Sequence, residues 1–112
     1  MKIEVNRVKI FVTVPMENSP QVIEAVCSNG AGVIGNYTHC TATAKVQGTF
    51  KPNDKANPYI GSSNQLEVVQ EDKIEFVCSV DKVKQVVQAL RQAHPYEEPA
   101  IDIVPLIDEE SF

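Results

Sequence analysis

A chain of 112 residues, 43% hydrophobic and 22% charged, has room for one sheet, a pair of helices and one core, which excludes a fibrous or disordered protein. Its net charge of -5 repels phosphate backbones and anionic lipid, so neither nucleic acid nor a membrane is an expected partner. No apolar run approaches the roughly 18 residues of a spanning helix, and residues 1–9 alternate charged with apolar side chains instead of forming a leader's apolar stretch, so the expected location is the cytoplasm.

Val8, Ile10, Val12 and Val14 repeat every second residue and predict a strand that stops at Pro15. Asn18 or Ser19 can cap a helix with Pro20 in its first turn. Val22, Ile23, Val26 and Cys27 form its apolar face, and Asn29-Gly30 ends it. A glycine-rich run, Gly30 to Gly35, leads into a second expected strand over residues 37–46, with Cys40, Ala42, Ala44 and Val46 on one face. In that strand His39 and Cys40 point to opposite faces, with Cys40 in the core.

The pattern then breaks over residues 48–64, a loop long enough to suggest function, with Phe50, Tyr59 and Ile60 as apolar anchors. Residues 66–78 predict a third strand with a bend or bulge at Glu71-Asp72. Ser79 caps a second helix, whose Val83, Val86, Val87 and Leu90 face the core, and Pro95 stops it. A short strand over residues 100–104 and an acidic, frayed tail over 106–112 complete the chain. The order βαββαβ predicts a ferredoxin-like α+β fold: a four-stranded antiparallel sheet with both helices on one face, in a single domain over 1–112. The other face carries small residues and calls for a second subunit.

Three cysteines, Cys27, Cys40 and Cys78, are odd in number and widely spaced, so they read as reduced, buried hydrophobes. Two segments carry a family likeness. One runs from Gly30 to Cys40 and continues through Gly48-Thr49-Phe50-Lys51-Pro52 and Asn57-Pro58-Tyr59-Ile60-Gly61; the other is Ala93-His94-Pro95-Tyr96-Glu97-Glu98-Pro99-Ala100. With Glu67, Glu71 and Glu75, they resemble the PII-like insert domain of the Nif-three-like, YqfO-type dinuclear-metal-centre family. The likeness spans residues 8–105. The His94-to-Pro99 run also resembles a segment of CutA, a trimeric divalent-cation tolerance protein. The resemblance implies a PII/CutA-like fold, a tendency to form trimers and a regulatory or ligand-binding role. Full-length members hold their di-metal ligands in flanking parts absent here, so the chain reads as a stand-alone version of the insert, without the metal-dependent chemistry.

The two histidines are the foremost metal candidates. His94, next to Glu97 and Glu98, reads either as a divalent transition-metal ligand or as a helix C-cap. His39 reads either as a cleft ligand or as a surface residue. Glu67, with Glu71 and Glu75, would share one face of a strand, as a salt-bridged face around Lys73 or as carboxylates closing a metal or cationic site. Gly32, Gly35 and Tyr37 in the glycine-rich loop, and Phe50 and Tyr59 in the 48–64 loop, are the loop candidates. A helix precedes the glycines and a strand follows, the reverse of a dinucleotide fingerprint, so they serve first as a turn. No catalytic constellation appears, and the expected protein is not an enzyme. The leading expectation is a homo-trimer binding a small ligand or divalent metal between subunits. Two other readings stand beside it: an interaction module that docks on a protein partner, and a metal-assisted hydrolase.

Overall fold

The computed structural model describes residues 2–112. Four strands, β1 (Arg7–Pro15), β2 (Ala42–Phe50), β3 (Glu67–Ser79) and β4 (Ile101–Leu106), form one sheet in the order β2-β3-β1-β4. Every pairing is antiparallel. The two helices are α1 (Ser19–Ser28) and α2 (Val83–Ala93). The expected ferredoxin-like fold is therefore present, and its alternation has a direct cause. Val8, Ile10, Val12 and Val14 of β1 face the helices and are buried, as are Ile74, Phe76 and Cys78 of β3. Val22 and Val26 from α1 and Val86 and Leu90 from α2 close on them in a single core.

Among the described residues no helix covers the opposite face. By register Phe11, Ala44, Val77 and Val104 lie there, and none of them is buried. The β2–β3 hairpin also runs past the end of β1, as Pro15 pairs with Glu71 while the β2 pairing continues to Glu67. This projecting arm explains the radius of gyration of 15.6 Å, against about 13 Å for a compact chain of this length.

Local details differ from the sequence expectations. The second strand starts at Ala42, not at 37, and extends to Phe50. His39 has a left-handed backbone, φ 59°, so residues 30–41 form a loop closed by a Gly32–Cys40 hydrogen bond of 2.9 Å. Cys40 is accordingly half-buried and outside the core, while Cys27 and Cys78 are buried and burial pushes both thiols up. β3 passes through Glu71 and Asp72 without a bulge, in register on both sides. Ser79 makes no side-chain cap; a 3-10 turn (Val80–Lys82) enters α2 instead. Asn18 makes no cap bond either, and the Ser19 hydroxyl is donated to Asp72 at 2.5 Å. The tail is tied back by Arg7, whose guanidinium meets Asp108 at 2.8 Å. Among the described residues no helix is long and apolar enough to cross a membrane.

Candidate functional site

Pro95 sets the geometry of the site. A residue before proline is driven out of the helical region, and His94, the last cap residue of α2, accordingly takes ψ 134°. Its side chain is buried against β1, where Nε2 meets the Thr13 carbonyl at 2.8 Å. Nδ1 accepts the Tyr96 backbone N–H at 3.1 Å, which fixes the neutral tautomer with its proton on Nε2. Burial holds the imidazole below its ordinary pKa, against the raising effects of the Thr13 carbonyl and Glu71. His94 is thus a clamp on the 94–98 turn, with its single lone pair already used.

The turn directs Tyr96 into the base of the projecting arm. The Tyr96 hydroxyl donates to Glu71 Oε2 at 3.0 Å. Burial first, and then this carboxylate, push the phenol well above its usual range, so it stays a donor. Tyr96 also packs against Phe50 and Tyr59, with centroids 5.9 and 6.2 Å from its own and rings tilted by 58° and 53°. Farther out, the Asn57 N–H donates to Glu97 Oε1 at 2.8 Å and ties the turn to the arm. Between turn and arm lies a cleft of about 260 Å³, walled by Phe50, Pro52 and Tyr59, with Glu71 and Tyr96 at its base and Glu97 and Glu98 at its edge.

Phe50, Tyr59, Glu97 and Glu98 therefore meet at one place. The other candidates do not. Gly32 donates its N–H to the Val77 carbonyl, six residues along β3 from Glu71, which is about 20 Å of strand. Gly32 and Gly35 both have positive φ, and a side chain at Gly32 would press on the Cys40 backbone, so the glycines shape a turn. Tyr37 is 75% exposed at that far end. His39 lies on the open surface there, between Glu24 at 3.2 Å and Thr38 at 3.1 Å. Glu67 lies against Gly61 and does not line the cleft. The two histidines do not converge, and among the described residues no group of three His, Cys, Asp or Glu side chains is placed to hold a metal. Within one subunit these residues do not assemble a transition-metal site. The salt-bridged carboxylate face is partial: Glu75 pairs with Lys9 at 3.4 Å, while Lys73 lies 5.2 Å above the Phe11 ring.

The sequence offers Glu71 as one carboxylate of a row that could close a metal or cationic site, and Tyr96 as a member of the 93–100 motif, without pairing them. Only the folded chain joins them.

The sheet order, the two helices and the projecting hairpin define a ferredoxin-like α+β domain. CutA from Synechococcus elongatus superposes with a TM-score of 0.68 over 95% of this chain and 81% of its own, at 18% identity, a likeness of fold alone. A Bacillus cereus protein related to NIF3 superposes with a TM-score of 0.79 at 38% identity, over 91% of this chain and 26% of its own. In sequence, a "GTP cyclohydrolase 1 type 2 homolog" of Halalkalibacterium halodurans is 48% identical over 101 residues, 90% of this chain and 27% of that protein. No family model matches the chain. The chain is a homologue of one segment of the NIF3-type proteins and spans about a quarter of the length of the curated relatives it matches.

Proposed function

We propose that this chain is a regulatory, non-catalytic homo-trimer that binds a small ligand in the cleft between the hairpin arm and the 94–98 turn. The observation that carries this reading is the cleft itself. Its walls come from the two segments that bear the family likeness, and its base is pre-organised by the His94–Tyr96–Glu71 chain of hydrogen bonds. The uncovered sheet face supports assembly, as it leaves Phe11, Val77 and Val104 without a second layer. Subunits packed there would bring neighbouring chains toward the projecting arms, and occupancy would be signalled through the order of residues 51–66.

The test is a thermal-shift screen against nucleotides, organic amines, carboxylic acids and divalent metals, with an EDTA control. At least one class is expected to raise Tm by several degrees at a hundredfold excess over Kd, since such binding adds about 2.7 kcal/mol. Tyr59→Ala, on the exposed cleft wall, is expected to abolish the shift. No shift with any class would contradict the proposal.

A further inference from the structure

Glu71 is the unusual group in the molecule. It is 95% buried by its 5% exposure, yet none of the ion pairs among the described residues includes it. Its neighbour Asp72, on the other face of β3, is equally buried but is met by Lys45 at 3.0 Å and by the Ser19 hydroxyl. Glu71 has only the neutral Tyr96 hydroxyl, on Oε2. A buried carboxylate without a counter-charge is disfavoured, and one phenol offsets that only in part.

What surrounds Glu71 is specific. It lines the aromatic cleft, where Phe50 and Tyr59 both pack against Tyr96. Glu97 and Glu98 add negative charge at the edge, against Lys51, the one cation lining the cleft among the described residues. Gly48 makes room for this arrangement: a methyl group there would overlap the Glu71 carboxylate. A buried anion, aromatic faces and an acidic edge favour positive charge, because ring quadrupoles and carboxylates attract the same sign. A bare divalent metal is a poor match, since it seeks several converging oxygens or nitrogens and the described residues offer no such cluster.

We propose that the cleft ligand is a small organic cation, an ammonium or guanidinium group on an apolar body, with Glu71 as its counter-ion and Phe50, Tyr59 and Tyr96 as its aromatic walls. The inference rests on the ligand-binding reading of this cleft and names the chemical class of ligand. The volume of about 260 Å³ limits the body to a small one, just under the roughly 300 Å³ at which small-molecule sites commonly begin.

The experiment is a two-dimensional amide NMR titration of the whole chain with three probes of similar shape: phenethylammonium, neutral 2-phenylethanol and anionic 3-phenylpropanoate. Phenethylammonium is expected to shift amides in residues 49–60 and 94–98, and to bind at least tenfold more tightly than the other two. Glu71→Gln, which can still accept from Tyr96, is expected to lose at least tenfold in affinity for the cation while its spectrum stays folded. Tyr59→Ala, at an exposed position, is expected to weaken the same probe. Equal binding of the neutral or anionic probe, or unchanged cation affinity in Glu71→Gln, overturns the cation assignment and leaves the cleft as a ligand site. Silence of the cleft amides with all three probes overturns the cation assignment; if the thermal-shift screen is also silent, the ligand-binding reading falls with it.

Discussion

His94 and Asp72 show how single buried groups lock this fold together, and both make it sensitive to acid. The His94 imidazole is neutral, wedged between the Thr13 carbonyl and the Tyr96 N–H, with its pKa held below the ordinary 6.5 by burial. As pH falls, the unfolded chain therefore takes up this proton first. Stability from His94 is complete above about pH 6.5 and declines through the window below it. Asp72 acts at lower pH. The Ser19 hydroxyl, and then Lys45, hold its carboxyl below the usual 3.8, so its contribution is present above that value and lost as pH falls toward the depressed one. Urea midpoints measured from pH 8 to pH 3 are expected to fall in two stages. His94→Gln, whose amide can still donate to Thr13, is expected to remove the first stage and keep the second. An unchanged first stage in that variant would show that another group titrates there.

At the scale of elements, the strands and helices whose contacts are regular were legible. The period of two in β1 and the spacing of Val83, Val86, Val87 and Leu90 report a face buried along its whole length. Where burial comes from a distant partner, the local pattern misleads. Glu71-Asp72 reads as a polar interruption, yet β3 runs straight through because Tyr96 and Ser19 supply hydrogen bonds from 25 and 53 residues away. Residues 37–41 have strand-forming threonines, yet the left-handed turn at His39 delays β2 until Ala42 can pair with Glu75. The candidate site was half legible for the same reason. Phe50, Tyr59, Glu97 and Glu98 stand out in two motifs, but their meeting depends on the hairpin register and on the turn that Pro95 imposes.

That register gives a prediction for Gly48. Alanine in the interior of a strand normally gains about 0.5–1 kcal/mol over glycine. Here the methyl group would displace Glu71 from Tyr96, and losing a buried hydrogen bond costs about 1–3 kcal/mol. The second effect is the larger, so Gly48→Ala is expected to lower unfolding free energy by about 1 kcal/mol in urea titrations. A gain in stability would mean that the carboxylate moves freely and is not held.

The whole molecule is a half-finished sandwich. Helices cover one face of the sheet, the other face is open, and an arm extends beyond the core to give dimensions of 49 by 28 by 24 Å. In the trimer proposed above, copies of the same chain arranged around a threefold axis would cover the apolar residues of the open face and set the arms beside one another. The most direct measurement is light scattering on the purified chain over a range of concentrations, alongside Ala44→Asp, which places a charge on the open face. The account predicts a mass three times the 12.3 kDa of the chain, falling to one chain in the variant with its helical circular dichroism retained. A wild-type mass of 12.3 kDa at every concentration would contradict it.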